Sequence, residues 1–532
     1  MIVVISDLHL QHTAQDLLSR PYEEGGKILA TRVVRNVGAG ALSLLFSEIT
    51  SNAQRTGARE VNLVFAGDIF EMHRTPRWFL GGETLRPTLA PAAPSRALEA
   101  KVLSILSAIE EDNREFFETL ARFVQTGEHV HRGQTRTLGP VALRTHFIPG
   151  NHDRLLGIWP STRRRVRELL GMTGPGGNAE APFPHVLDWN RRLGYGVRVR
   201  HGHEYDSTNF SAPFDPGAPA SLEAYERPTL GDFITVDITT RLAVAFRAHY
   251  ARELRLTGAT GEGYRRIYVA LTEFDDVRPQ SRLVQYLTEA VAANESTTFS
   301  ILRPLLRDAF ETALADSFFV AEAHRLGLGR YFRGSVAKLF DEALKTLSGE
   351  SIGALVSVID EFRRVRTGNG PAMVARLEPG LTTGDFDTVI AGHSHEPDHV
   401  AMPGITTPGA GAGTVGNAGT VGYFLDSGTW RTRIDAGVGG AFGRLRGYTM
   451  VFCYHDTELK PGESRRFETW TGHLRGEEYG PRFSIDVTPA VRLPVQTVRF
   501  LECRVQHVDE GETTNGAELV LHFGVDGASV VA

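Results

Sequence analysis

Cysteine is scarce: the 532 residues hold two, Cys453 and Cys503. A disulfide framework is not expected from so few, and both thiols should lie buried and reduced. Long apolar runs are missing too. No stretch reaches the eighteen or so residues that a membrane-spanning helix needs. The start of the chain lacks a basic region, an apolar stretch and a small-residue cleavage site. Met1 leads straight into Ile2-Val3-Val4-Ile5, so a cytoplasmic protein is expected. No strong charge of one sign is present. A net charge of −6 argues against broad binding to a polyanion such as duplex DNA, although a local basic groove stays open. The Gly- and Ala-rich stretch Gly409–Gly419 has no Lys-Ser/Thr after it, which removes a phosphate-binding P-loop and leaves a flexible hairpin.

What is present is an ordinary globular composition, 41% apolar and 23% charged, on a chain long enough for two or three domains. The first half reads as alternating strands and helices. Ile2–Ile5 is a short buried strand. Leu42, Leu45, Phe46 and Ile49 share one helical face, which Gly57 ends, and Val61–Phe65 is the next strand. A second helix is predicted over Leu98–Val124, then strands at Arg144–Ile148, Val197–Arg200 and Thr388–Ile390. Strands that alternate with helices and end in functional loops describe a layered α/β fold with ligands at the carboxyl ends of its strands. Residues 213–384 read as a mainly helical insertion, a candidate cap. Val336, Leu339, Phe340, Ala343, Leu344 and Leu347 form its clearest apolar stripe. Beyond Trp430 the pattern turns to alternation at Val498–Phe500, Cys503–Val505 and Leu519–Phe523, with Asn515-Gly516 as a hairpin signal. The expected organisation is a core over 1–212 and 385–440, the insertion, and a C-terminal all-β domain over 441–532.

Five short blocks fall where strands should stop: Asp7-Leu8-His9, Gly67-Asp68-Ile69-Phe70-Glu71, Gly150-Asn151-His152-Asp153, His201-Gly202-His203 and Gly392-His393-Ser394-His395. One such block alone is an ordinary turn. Together they offer carboxylate, imidazole and carboxamide donors and no thiolate, a set suited to Mn²⁺, Fe or Zn²⁺. Two cations about 3.5–4 Å apart can clamp the attacking and leaving oxygens of an in-line displacement, and a bridging carboxylate helps to hold two like charges that close.

In this order the blocks resemble the calcineurin-like metallophosphoesterase superfamily, with its D-x-H, G-D, G-N-H-D/E, H and G-H-x-H motifs. The resemblance covers roughly residues 1–210 and 385–435. Ser6–Leu10, Gly67–Glu71, His201–Asp206 and Gly392–Pro397 are similar in particular to the UDP-2,3-diacylglucosamine hydrolase-like branch. That branch usually carries Asp where His203 stands, and its members are much shorter, so the reaction class is implied rather than the lipid substrate. The implied fold is a four-layer α/β/β/α sandwich. The implied cofactors are two divalent ions, Mn²⁺ with Fe or Zn²⁺ as alternatives. Asp7, His9 and His395 would hold one, and Asn151, His201 and His393 the other. Asp68 would bridge them. His152 would protonate the leaving oxygen, oriented by Glu71, while a metal-bridging hydroxide attacks a phosphodiester or pyrophosphate bond.

Other residues admit two readings. His203, Glu204 and Asp206 either touch substrate or support His201. Arg163, Arg164, Arg165 and Arg167 either grip a phosphate or form a solvated helix face. His12, His73 and His399 read as rim or surface residues, and Asp426–Trp430 as structural support. A phosphorylated small molecule or nucleotide is the expected partner. A nuclease acting on nucleic acid stays open through the arginine run, as does a non-catalytic scaffold on a phosphoesterase core. A protein phosphatase is disfavoured because Met72 follows Glu71 where such enzymes carry Arg. Oligomeric state is not legible.

Overall fold

The structure, a computed structural model, describes residues 1–12, 28–31, 36–82, 84–89, 95–172, 178–215, 218–256, 258–278, 282, 286, 295–326, 370–405, 420–436, 442–461, 463, 467–477, 483–486, 522–525 and 528–531. The first part holds β1 (Ile2–Ile5), β2 (Ile28–Thr31), α1 (Ala39–Thr56), β3 (Glu60–Ala66), α2 (Arg96–Asp112), α3 (Arg114–Thr126), β4 (Glu128–His131), β5 (Gln134–Thr137), β6 (Ala142–Ile148), α4 (Pro160–Leu169), β7 (Val186–Trp189) and β8 (Val197–Arg200). The insertion contributes α5 (Leu222–Glu226), α6 (Leu230–Phe233), α7 (Arg241–His249), α8 (Gly258–Thr272), β9 (Val277–Arg278), α9 (Glu295–Ala315), α10 (Ser317–Arg325), α11 (Pro371–Ala375) and α12 (Pro379–Thr383). Then follow β10 (Thr388–Ala391), β11 (Asp398–Ile405), β12 (Thr420–Asp426), β13 (Arg433–Ala436), β14 (Phe442–Cys453), β15 (Phe467–Glu477), β16 (Phe483–Asp486), β17 (His522–Val525) and β18 (Ala528–Val531). Among the described residues no helix is long and apolar enough to cross a membrane.

The fold is mixed α/β with two main sheets. In the first the order is β6-β3-β1-β14-β13-β9, with β15 on β14; the second runs β11-β12-β10-β8-β7. Strands β6, β3 and β1 are parallel, as are β8, β10 and β12. Period-two alternation sends side chains of each strand to different cores. Ile2, Val4, Val64, Ala66 and Ile148 of the first sheet meet Val197, Val199, Ile390 and Leu425 of the second in one buried cluster. Val3, Ile5, Leu63, Phe65 and Phe147 point the other way and pack with Leu42, Phe46, Leu106 and Phe123 of α1, α2 and α3. On the second sheet Val389, Ala391 and Phe424 pack with Ala372, Ala375 and Leu381 of α11 and α12. Each fully buried large apolar side chain contributes about 1.5–3 kcal/mol relative to exposure.

Local chemistry sets the element ends. Gly57 stops α1 at φ 69°, its N–H reaching Ala53 O. Ser95 caps α2 by accepting from Leu98 N–H. The single helix predicted over Leu98–Val124 is two. Asn113 interrupts it at φ −116°, its amide donating to Ile109 O and Gln11 O. Apolar spacing continues across the break because both helices face the same core.

The predicted boundary at 440 is also corrected. β14 pairs antiparallel with β1 through Ile2↔Cys453, Val3↔Phe452 and Val4↔Val451, and β15 pairs along β14, so 442–453 and 467–477 belong to the core sheet. Residues 451–453 are a short apolar run buried on both faces, which is the signature of an interior strand rather than of a separate domain. Cys453 is buried and free, and Cys503 lies outside the described residues. The described part of the insertion consists mostly of short helices, and β9 adds an edge to the first sheet by pairing parallel with β13. The stripe at Val336–Leu347, the Gly409–Gly419 stretch, the Asn515-Gly516 hairpin and the strands predicted at Val498–Phe500 and Cys503–Val505 lie outside the described residues, as does most of Leu519–Phe523.

Candidate metal centre

Parallel strands end together, and their exits converge. Ile5 of β1 leads to Asp7 and His9, Ala66 of β3 to Asp68, and Ile148 of β6 to Asn151 and His152. From the second sheet Arg200 of β8 leads to His201, and Ala391 of β10 to His393 and His395. The loops stay registered beyond the strands: Asp7 N–H donates to Gly67 O at 3.0 Å, His9 N–H to Asp68 O at 2.9 Å and Gly392 N–H to His201 O at 2.7 Å.

The backbone is strained here. Asp7 (φ 52°), His9 (44°), Asp68 (52°), His393 (74°) and His395 (65°) all adopt the left-handed region, where among the described residues Arg132 is the sole other non-glycine. Each costs of order 1–3 kcal/mol and persists because its surroundings impose it. Those surroundings are visible. Thr429 Oγ1 donates to Asp7 O at 2.8 Å, and Ser6 and Ser427 share a hydroxyl contact of 2.6 Å, so Asp426–Trp430 does support the first loop. Asp153 accepts from Ile69, Phe70 and Gly150 N–H and ties the second loop to the third. The motif glycines make room. A Cβ on Gly67 would fall on the His201 ring, and one on Gly392 on the Asp7 carboxylate.

The side chains fall into overlapping groups. Asp7, His9, Asp68 and His395 present one donor atom each, all within 4.8 Å of one another, as do Asp68, His201 and His393. Asn151 Oδ1 lies 3.2 Å from His201 Nε2. His9, Asp7, Asp68, His201, Asn151 and His395 are buried, and His393 is partly so. Asp7 Oδ1 is buried and has no hydrogen-bond partner among the described residues; His395 Nε2 faces it at 3.4 Å and His9 Nε2 at 3.8 Å. A buried carboxylate oxygen left short of partners among imidazoles suits a cation.

Hydrogen bonds on the far nitrogens set the tautomers. His201 Nδ1 donates to Ala66 O at 2.9 Å and His9 Nδ1 to Glu71 Oε2 at 2.9 Å, which directs both Nε2 atoms inward. Glu71 also receives His152 Nδ1–H on Oε1 at 2.8 Å. Burial opposes the charge on Glu71, but His152 and Arg74 outweigh it and hold the carboxyl well below its ordinary range. Burial likewise opposes charge on His152 and His201. Glu71 and Asp68 nevertheless lift His152 to about 9, and Asp68 lifts His201 to about 10. His395 differs. Burial and the Arg278 guanidinium push it well below 6.5, and its Nδ1 accepts from Arg278 at 2.8 Å. Its hydrogen therefore sits on Nε2, 2.9 Å from His9 Nε2.

The remaining predicted residues are placed as follows. His203 abuts the centre, its ring 5.2 Å from that of His201, and burial lowers it to about 3. Arg163 and Arg164 are a correction. Arg163 donates to Gly157, Ile158 and Glu180 carbonyls, and Arg164 pairs with the Glu180 carboxylate. Arg165 pairs with Glu110 and Glu168, and Arg167 binds the Ala179 and Ala181 carbonyls. These guanidinium groups hold α4 to neighbouring segments. His73 is buried rather than at a rim, its ring 5.1 Å from that of His152 and its Nε2 3.3 Å from Asp232. His12 is buried too, while His399 is exposed.

Of the charged groups behind the candidate ligands, sequence reasoning weighed Asp206 and missed Arg74, Asp276 and Arg431. Asp206 Oδ2 lies 3.3 Å from His393 Nε2. Arg74 Nε lies 3.3 Å from Glu71, and Asp276 of the insertion joins Arg74 to Arg431. Asp206 stood within the quoted His201–Asp206 block, but nothing in sequence marked the others. Beyond His203 opens a cleft of about 870 Å³, lined by Phe183, Phe210, Phe214, Leu222 and Tyr225 with Arg198, Arg200, Glu204 and Glu378. Its arginines are paired: Arg198 with Asp188 and Glu378, Arg200 with Glu204 and Glu378.

No protein-family model, no curated protein and no solved structure matches this chain, so the centre has to be read from its own side chains.

Proposed function

We propose that this protein is a dinuclear-metal phosphoesterase of the calcineurin-like metallophosphoesterase type, cleaving a phosphodiester or pyrophosphate bond. The observation that carries the reading is the convergence of Asp7, His9, Asp68, Asn151, His201, His393 and His395 from two sheets onto one buried spot, with His152 held beside it by Glu71. The clusters on the three apolar interfaces support the four-layer α/β/β/α sandwich of that type, with helices on each outer sheet face.

Asp7, His9 and His395 would hold one divalent ion and Asn151, His201 and His393 the other, with Asp68 in reach of both. Bound there, the two ions, Mn²⁺ or alternatively Fe or Zn²⁺, would neutralise phosphate charge and acidify a water towards a pKa of about 7. The chain supplies the rest. The Asp7 and Asp68 charges favour cation entry, and neutral Asn151 adds an oxygen donor without repelling phosphate. In the metal-free protein Glu71 and Asp68 lift His152 to about 9, and its bond to Glu71 holds it where it could give a proton to the leaving oxygen. The apolar cleft beyond His203 suits an ester group with an apolar or aromatic part, since its lining charges are already paired. The nuclease reading loses its local support, because the arginine run is engaged with Glu110, Glu168 and Glu180.

Hydrolysis of bis-p-nitrophenyl phosphate beside p-nitrophenyl phosphate, with added Mn²⁺, tests this. Mn²⁺-dependent diester cleavage is expected. Monoester cleavage alone would overturn the diester assignment, and Mn²⁺ binding without turnover of either would favour a scaffold. Metal loading also carries a proton signature. His201 is protonated below about 10 and must lose that proton to donate its lone pair. Mn²⁺ binding at pH 8 should release about one proton, and affinity should rise with pH towards 10 by up to about tenfold per unit. Calorimetry in buffers of different ionisation enthalpy reads this directly; the same heat in every buffer would contradict it.

A further inference from the structure

Among the described residues of the helical insertion, Arg278 reaches the centre. Val277 and Arg278 pair with Ile434 and Asp435 at the edge of the first sheet, which fixes the backbone of Arg278. Its guanidinium places one nitrogen 2.8 Å from His395 Nδ1 and the other 3.0 Å from Val277 O. Two residues earlier, Asp276 binds Arg431 at 2.5 Å and Arg74 at 3.3 Å, so the segment is anchored on both sides of the first-sheet loops.

The contact with His395 is at odds with ligation. Arginine can only donate, so Nδ1 must accept, and the imidazole hydrogen goes to Nε2. Ligation through Nε2 needs that lone pair, which requires hydrogen on Nδ1, where Arg278 now donates. The two arrangements exclude each other at one nitrogen. A guanidinium beside bound cations is repelled as well unless an anion lies between them. Its planar fork suits the oxygens of a phosphoryl group.

Resting on the phosphoesterase reading above, we propose that Arg278 is an anion-binding residue of this centre: it hydrogen-bonds His395 when the ions are absent and turns to a non-bridging phosphoryl oxygen when they are bound. The insertion then does more than cover the core, because it supplies one of the groups that select a phosphoryl anion.

The experiment compares wild type with Arg278→Gln and Arg278→Lys, titrating Mn²⁺ alone and then inorganic phosphate into the Mn²⁺-loaded protein. Arg278→Gln should bind Mn²⁺ as tightly as wild type or up to about tenfold more tightly, because a competing donor is gone, and should bind phosphate about tenfold or more weakly. Arg278→Lys keeps the charge but not the fork, and should fall between the two for phosphate with Mn²⁺ binding intact. It carries the test if the glutamine variant fails to fold. Weaker Mn²⁺ binding with unchanged phosphate affinity would make Arg278 a mere support for His395 and overturn the proposal. Wild type that binds Mn²⁺ but no phosphate overturns it and leaves the metal centre standing. Wild type that binds no Mn²⁺ overturns the phosphoesterase reading and this inference together.

Discussion

Asp68→Asn is expected to erase the response of the protein to Mn²⁺ while leaving a cooperatively folded chain. Asp68 is 1% exposed and takes part in both ligand groups. Its Oδ1 accepts His152 N–H at 2.8 Å, and its Oδ2 lies 3.3 Å from His201 Nε2 and 3.8 Å from His9 Nε2. Asparagine has nearly the same shape. Its carbonyl can keep the bond to His152 N–H, which leaves the amide NH₂ pointing at the two histidines. A donor then occupies the place of a charge, against both ions at once. Altering groups behind a metal ligand typically costs 10–100-fold in affinity, and a shared ligand should cost more than about 100-fold. In wild type, Mn²⁺ at about a hundred times its dissociation constant should add about 2.7 kcal/mol per site to stability, visible as a higher melting temperature. The variant should show no such rise at that concentration, and no cleavage of bis-p-nitrophenyl phosphate. A melting shift equal to that of wild type would sink the assignment of Asp68, and the two-ion centre with it.

The candidate ligand set was legible because each of its residues sits in a short motif at a strand end. Apolar runs such as Ile2–Ile5 and Thr388–Ile390 mark buried parallel strands, and the residues just beyond them must share one edge of the sheets. The structure brings those seven residues together, along with His152 and Glu71. What was not legible depends on contacts between distant parts of the chain. β14 reads as the start of a new β region until its pairing with β1, some 450 residues earlier in sequence, puts it inside the core. Arg278 looks like any surface arginine until β9 joins β13 and carries it to His395. The arginine run after Asn151 is the converse case. Proximity in sequence suggested a phosphate grip, but Glu110 and Glu180 take up the charges. Left-handed backbone at two aspartates and three histidines is equally invisible, since propensity would assign such angles to glycine. It arises because the surrounding hydrogen bonds leave those loops no other path.

His152→Ala and Glu71→Gln should separate proton transfer from metal binding. His152 Nδ1 and His9 Nδ1 both donate to the Glu71 carboxylate, one to each oxygen, at 2.8 and 2.9 Å. Removing the His152 ring takes away the proton donor and leaves His9, with its Nε2 directed inward, as it was. Turnover of a diester with a poor leaving group should fall by about 10²–10⁴-fold, the usual worth of general acid catalysis, with Mn²⁺ affinity unchanged. A p-nitrophenyl leaving group needs less protonation, so its loss should be smaller. Glu71→Gln acts on both imidazoles. A neutral amide no longer holds His152 protonated near neutral pH, and its NH₂ group can meet one of the two Nδ1 atoms only as a donor. His152 should titrate lower than in wild type, which moves the loss of activity on the alkaline side to lower pH. His9 loses the acceptor that fixed its tautomer, and Mn²⁺ should bind about 10–100-fold more weakly. The double variant should then lose metal affinity like Glu71→Gln and proton transfer like His152→Ala. If His152→Ala weakens Mn²⁺ as much as Glu71→Gln does, the histidine is a metal ligand and not the acid, and the division of labour at Glu71 is wrong.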